Sequence, residues 1–250
     1  GKLGTTYKIN KGLRFKANVG TAYRAPTASE LYFDWRHTPA RKINVHIVGN
    51  PDLKPEKALN FDLGIEGERG KTFGKLTYFH NKVEDLINVN VVNTVIPGPP
   101  PPTILSTGTY QNIDSATIQG VELEAKQDLG RGFALRGLYT YLDAQDDKTN
   151  TRLTGRARHK ASLQLSYDDP RHGWNATLWQ DWISGYRYAE TIGRRTVYKD
   201  AALGLMNLVV TKKFNDQFSA YLGVDNIFNK ESDALAYDGR IWRGGVRMTF

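Results

Sequence analysis

Cysteine is absent from all 250 residues, which excludes disulfide staples and thiolate metal sites. Long apolar runs are missing as well. The two longest strongly apolar stretches are 201–210, interrupted by Asn207, and 89–96, well short of the ~20 residues a membrane-spanning helix needs. That excludes a helical membrane protein but not a β-barrel, whose strands hide apolar surface in alternation. No charged segment leading into an apolar one stands at Gly1-Lys2-Leu3, so any export signal is expected to lie outside this sequence. GxSxG, HExxH, P-loop and GxGxxG patterns are lacking too. With 40% hydrophobic, 24% charged and 11% aromatic residues, the chain is nonetheless neither disordered nor fibrous.

Charge is in modest excess: 34 Lys and Arg against 26 Asp and Glu, a net +8. The basic residues are spread singly. Even the densest stretch, 152–160 (RLTGRARHK), alternates with other residues, so no nucleic acid is expected as a partner.

Period two dominates what is present. Leu59, Phe61, Leu63 and Ile65 alternate with Asn60, Asp62, Gly64 and Glu66. Phe133, Leu135, Gly137, Tyr139 and Tyr141 do so around Arg136 and Thr140, and Phe218, Ala220, Leu222 and Val224 around Ser219, Tyr221, Gly223 and Asp225. Similar patterns run through 13–19, 121–126, 157–168 and 242–250, and no comparable window carries a 3.6 period. The fold is therefore all-β and antiparallel. A soluble β-sandwich would alternate as well, but with strands of about five or six residues. Runs of 10–13 residues suit a tilted bilayer crossing of about 9–11 residues better. Aromatic residues near strand ends (Tyr7, Tyr23, Phe73, Phe133, Tyr141, Tyr167, Trp174, Trp242, Phe250) sit where an interfacial girdle would place them.

Short turns at 10–12, 68–72, 129–132, 168–173 and 215–217 alternate with long connections at 24–56, about 88–112, 144–156, 184–198 and 227–240. That is the pattern of periplasmic turns and extracellular loops in an outer-membrane β-barrel. The run Pro97-Gly98-Pro99-Pro100-Pro101-Pro102 is expected to form an extended polyproline spur within one loop. The count reaches about eleven strands, an odd number whose first member descends like the last, whereas single-chain barrels have even counts. The expectation is that strands precede Gly1, and that residues 1–250 are one partial barrel domain.

Four ordered words carry a resemblance. They are Tyr23-Arg24-Ala25-Pro26 within YRAPTASELY, Asn50-Pro51-Asp52-Leu53 within GNPDLKPE, Tyr110-Gln111-Asn112 followed by 118–124 (IQGVELE), and 224–230 (VDNIFNK). Together with the aromatic end, they resemble the boxes of TonB-dependent outer-membrane receptors over essentially the whole chain. The resemblance implies the C-terminal half of a barrel of about 22 strands, located in the outer membrane of a Gram-negative bacterium. The plug, and with it the contact to the inner-membrane TonB complex, would be absent from this chain. It implies an energised receptor for an iron chelate, haem or a ferric siderophore, carried as ligand, with no intrinsic cofactor. A receptor for other cargo such as cobalamin, or a passive porin-like channel, stays open.

In the haem branch a histidine between the first two boxes is an axial ligand to iron. His37 and His46 both lie in that interval, and His37, eleven residues after Pro26, resembles that position more closely. His37 would be a metal ligand only if haem is the cargo. Tyr32, Trp35 and Arg36 in the same loop offer ring stacking and a positive charge to an anionic chelate, as do Phe33, Tyr186 and Tyr188. Arg24, Arg41, Lys42, Arg187, Arg194, Arg195 and Lys199 extend the basic loops, although lipopolysaccharide phosphates in the surrounding membrane would account for them equally. Asp62, Glu66, Glu122 and Arg136 are expected to face the lumen and hold a plug. Catalysis is not expected. His159 and Ser162, the one His–Ser pair on a strand, are separated by an odd number and so point to opposite faces.

Overall fold

The computed structural model describes residues 1–40, 43–98, 103–192 and 195–249. In chain order it contains β1 (Lys2–Asn10), β2 (Leu13–Arg24), the short helix α1 (Ala28–Tyr32), β3 (Asp34–Ala40), β4 (Ile43–Val48), β5 (Glu56–Arg69), β6 (Thr72–Ile96), β7 (Thr103–Gly130) and β8 (Phe133–Asp146). There follow β9 (Thr151–Arg152), β10 (His159–Asp169), β11 (Trp174–Ile192), β12 (Arg195–Lys213), β13 (Phe218–Asp225), β14 (Glu231–Ser232), β15 (Tyr237–Asp238) and β16 (Ile241–Met248). Among the described residues, eleven of these form one continuous wall in the order β1-β2-β5-β6-β7-β8-β10-β11-β12-β13-β16. Every neighbouring pair in it is antiparallel. The expected strand number holds. The sheet does not close on itself: β1 pairs with β2 and β16 with β13.

Register separates the two faces. Arg14 opposes Glu66, Glu66 opposes Lys75, and Lys75 opposes Glu124. Phe15 opposes Ile65, Ile65 opposes Leu76, and Leu76 opposes Leu123. The first face is wet and laced by ion pairs: Glu66 takes Arg14 at 2.9 Å and Lys16 at 2.8 Å, and Glu124 takes Arg136 at 2.8 Å and Lys126 at 3.0 Å. The second is apolar and uncovered, with Leu59, Phe61, Ile65, Leu123, Leu163, Leu222 and Val246 all exposed. Among the described residues no large side chain is fully buried. A sandwich would bring its apolar faces together; here they point outward as a membrane wall.

Side chains build the short turns. Asn10 Oδ1 accepts from Gly12 N–H (2.9 Å), Asp128 Oδ1 from Gly130 N–H (2.6 Å), and Asn215 Oδ1 from the N–H groups of Gln217 (2.9 Å) and Phe218 (2.8 Å). In the girdle Phe133 packs on Tyr167 at 4.7 Å, and Lys212 lies over the Trp174 ring at 4.6 Å. Phe73 departs from the expected girdle. It stands two residues before Lys75 and opposite Lys126, hence on the wet face, where Lys126 covers its ring at 5.2 Å.

The long connections differ more from expectation. Two of them are strand, not loop: β6 and β7 continue as a hairpin to the pair Ile96–Thr103, and β11 and β12 to Ile192–Arg195. Val89, Val91, Val92, Val95 and Ile96 explain the first, since β-branched residues favour extended backbone even beyond the bilayer. Pro97 and Gly98 lie outside any strand, and the rest of the proline run, Pro99–Pro102, lies outside the described residues, as do Arg41, Lys42, Arg194 and Phe250. The connection 24–56 holds α1 and the β3–β4 ribbon. That ribbon joins the wall where β4 pairs in parallel with the upper part of β7, from Ile43–Ile104 to Val48–Thr109.

Candidate functional site: an anchored extracellular ribbon

The first two sequence words meet at the extracellular rim. Arg24 ends β2 and Glu56 begins β5, directly opposite each other. The Arg24 guanidinium donates from Nε (2.6 Å) and Nη2 (2.5 Å) to the two Glu56 oxygens. Its Nη1 donates to both oxygens of Glu30 at 3.0 Å. Glu30 is in turn half of a capping box. Its Oε2 accepts from Thr27 N–H (2.7 Å), while Thr27 Oγ1 accepts from Glu30 N–H (3.2 Å). This gives the TASE segment its single helical turn. Partial burial works against the Glu30 carboxylate, but Thr27 and Arg24 outweigh it and hold its pKa below the usual carboxylate range.

The second word is knotted to the first. Asn50 N–H donates to Glu30 O (2.8 Å), and Gly49 N–H to Phe33 O (2.6 Å). The backbones come so close at Gly49 that a Cβ there would stand 2.6 Å from Leu31 C and Tyr32 N, hence glycine. Asn50 Oδ1 closes an Asx turn on Asp52 N–H (3.0 Å), its Nδ2 reaches Tyr110 O (3.0 Å), and Leu53 is buried. Asn112 of the third word joins in. Its Oδ1 accepts from Lys54 N–H (2.8 Å), and its Nδ2 donates to Lys54 O (2.9 Å) and to Asp85 O (2.6 Å), the latter at a residue with φ +55. Ile87 N–H completes the set on Glu56 Oε1 at 2.9 Å. Three words distant in sequence thus form one latch between the ribbon and the wall. The fourth is a separate corner held against β12: buried Asn226 (φ +56) donates to Lys230 O (2.6 Å), accepts from Lys230 N–H (2.9 Å), and gives its own N–H to Asn207 Oδ1 (2.8 Å).

The ribbon carries the expected cargo residues. Tyr32, at the end of α1, is exposed. Trp35 and His37 stack on one face, centroids 5.2 Å apart and planes 20° from parallel. Arg36 and His46 oppose each other on the other face. His46 Nε2 lies 2.8 Å from Asp34 Oδ1, and Arg36 Nε 3.5 Å from the same oxygen. The hydrogen bond from His46, helped by Arg36, holds the Asp34 carboxyl below its ordinary pKa. The two histidines therefore do not converge. Arg24, read as a loop charge open to cargo, is tied to two carboxylates. Glu30, Glu56 and Asp34 carry geometry that the sequence reading misses, although T-x-x-E is a visible capping signal. His159 and Ser162 pair with Tyr141 and Leu138 on opposite faces of the wall, as alternation requires.

A membrane wall with one wet face, short turns at one end and long anchored excursions at the other defines part of an outer-membrane β-barrel. A family described as TonB dependent receptor-like, beta-barrel, matches residues 1–227, and the chain belongs to this family of the Gram-negative outer membrane. It is similar to the vitamin B12 transporter BtuB of Photobacterium profundum, 28% identical over 244 residues that make up 92% of this chain and 34% of that protein. Its fold is similar to that of a mutant of the ferric enterobactin receptor PfeA of Pseudomonas aeruginosa (TM-score 0.77, 19% identity, 100% of this chain and 40% of that one). The siderophore receptor PirA of Acinetobacter baumannii (0.73, 23%, 100% and 40%) and the copper transporter OprC (0.72, 19%, 100% and 39%) share it. The chain spans about a third of the length of that transporter and about two fifths of those solved chains.

Proposed function

We propose that this chain forms part of the wall and extracellular loops of a receptor that takes up an anionic iron chelate, haem or a ferric siderophore. The remaining wall, the plug and the TonB complex complete the machine. Cargo is captured at the mouth, the partner pulls on the plug, and the wall makes and breaks no bonds. The observation that carries the reading is the latch. It fixes a ribbon bearing Trp35, Arg36 and His37 to the rim, and preorganised aromatic and cationic groups suit a flat or catechol-rich anion. Membership of the family supports an energised receptor over a passive channel. His37 is the better haem ligand of the two histidines, because Asp34 already occupies His46. The similarity to a vitamin B12 transporter favours cobalamin as the second reading.

The test is titration of the full-length receptor with haemin, ferric enterobactin and cyanocobalamin. A Soret shift that disappears in His37→Ala assigns haem. Saturable binding of ferric enterobactin, unaffected by that substitution, assigns a siderophore. Saturable binding of cyanocobalamin alone overturns the iron reading.

A further inference from the structure

The short turns at the periplasmic end are tied to one another. Consecutive turns stand two strands apart along the wall, or about 10 Å. A backbone hydrogen bond joins each to the next. Glu68 N–H donates to Gly12 O (2.7 Å), Asp128 N–H to Lys71 O (2.9 Å), Asp168 N–H to Gly132 O (2.9 Å) and Lys213 N–H to Gly173 O (2.7 Å). The approach is close: a Cβ at Gly132 would stand 2.2 Å from Asp168 O. The turns therefore form one stiff rim.

Charge on this rim is sorted. Its carboxylates are occupied: Asp128 lies 3.2 Å from Lys71 Nζ, Asp169 2.7 Å from His172 Nδ1 and Asp216 2.6 Å from Lys213 Nζ, and Asp168 accepts from Asn175 Nδ2 at 3.4 Å. Glu68 stands opposite Phe73, on the wet face. Four cations have no such partner. Lys11, Arg69, Arg131 and Arg171 are exposed, and among the described residues their side chains make no ion pair and no hydrogen bond. They occupy four consecutive turns, one in each. Arg131 sits there against the preference of its backbone. Its φ is +56, between Gly130 at +79 and Gly132 at +85, a left-handed position that glycine or asparagine fills at lower cost. Such an outlier points to function. The aromatic girdle, here Phe133, Tyr167 and Trp174, marks the headgroup level. Arg131 lies two residues past Phe133 and Arg171 three past Trp174, so these tips project out of the headgroup layer into the periplasm.

We propose that Lys11, Arg69, Arg131 and Arg171 form a docking row for peptidoglycan, the polymer that faces this side of the outer membrane, through the carboxylates of its peptide stems. Spacing argues for a polymer: one cation about every 10 Å over about 30 Å matches a chain of repeated anions, whereas one lipid headgroup spans a single turn. Stiffness argues for a specific contact, since a rim already held by backbone bonds loses little freedom on binding. Each exposed ion pair is weak alone, and four on one polymer act together. The row lies outside the lumen and at the opposite end of the wall from the cargo ribbon, so it does not depend on which cargo is carried.

The experiment is co-sedimentation of the folded full-length receptor, in neutral detergent at low salt, with purified peptidoglycan sacculi. The wild type is expected to sediment with the sacculi and to be released at about 1 M sodium chloride, where charges are screened within about 3 Å. Arg131→Gly suits the left-handed backbone and removes one charge; it should bind about two- to fivefold more weakly. The quadruple variant with Lys11→Gln, Arg69→Gln, Arg131→Gly and Arg171→Gln gives up no ion pair among the described residues, so its folding is not at risk, and it should not be retained. Lys57→Gln with Arg240→Gln, exposed cations at the extracellular end, should change nothing. Sacculi whose stem carboxylates have been amidated should not retain the wild type. Failure of the wild type to sediment, equal retention of the quadruple variant, or equal binding to amidated sacculi would each overturn the proposal. Displacement from the sacculi by phosphatidylglycerol vesicles would assign the row to lipid headgroups and overturn it as well.

Discussion

Arg24 and Glu56 meet across the first residues of β5 and the last of β2 in a two-pronged contact of 2.6 and 2.5 Å, and the prong left over secures Glu30. One planar side chain thereby ties the start of a loop, its helical turn and the strand that follows it. Arg24→Gln leaves two carboxylates facing each other across the space it vacates. The side chain is 42% exposed, which limits the energy, so the opening free energy of residues 27–53 should fall by about 1–2 kcal/mol. Arg24→Lys should recover less than half of it, because an ammonium cannot serve three contacts in a plane. Hydrogen exchange of amides 30, 49 and 50 in the full-length receptor reads both numbers. Unchanged protection in Arg24→Gln would mean that the backbone bonds alone hold the ribbon.

Asn112 joins two segments, around Lys54 and Asp85, that the Glu56 side chain also links through Ile87 N–H. Replacing it by Leu leaves Lys54 N–H without its acceptor and the Lys54 and Asp85 carbonyls without their donor, at a cost of about 2–3 kcal/mol. Asn112→Asp keeps the acceptor but turns a charge toward both carbonyls, and should be as harmful above neutral pH. Faster exchange confined to residues 54–56 and 85–88 would confirm the junction. A uniform change along β7 would instead point to loss of the strand as a whole.

Much of this architecture could be read from spacing. Alternation at Leu59–Ile65 and Phe218–Val224 fixes which residues face lipid, and turn chemistry at Asn10, Asp128 and Asn215 fixes the periplasmic ends. Two things were hidden, for physical reasons. Period two identifies a strand but not where it stops, so the valines of 89–96 read as loop although they continue β6. Charge identifies a cation but not its partner. The acids that hold Arg24 stand 6 and 32 residues away, and only the fold brings them together. The tie between His46 and Asp34, twelve residues apart, escaped for the same reason.

Asn226 is buried with a left-handed backbone, two demands that few residues meet together. Asn226→Gly keeps the backbone and loses the side-chain bonds to Lys230, whereas Asn226→Ala loses both. The expected order of thermal stability is wild type, then Gly, then Ala, with the Ala variant down by about 2–3 kcal/mol. If Ala proves as stable as Gly, the conformation is not what selects asparagine here.

The latch has a defined acid limit. The Glu30 carboxyl is held below its ordinary pKa in the folded loop, so its contribution is fully present above the unfolded value of about 4.3 and is lost as pH falls through the lowered folded value. Between pH 8 and about 5 the latch should therefore be indifferent to pH. Because residues 1–250 contain no cysteine, Ser29→Cys places a single spin label among them, on the exposed side of α1. Its line shape should stay constant over that range and become mobile only below about pH 4. Glu30→Gln cannot charge and should show a mobile label at every pH. A transition that survives in Glu30→Gln would remove Glu30 as the group that sets the limit.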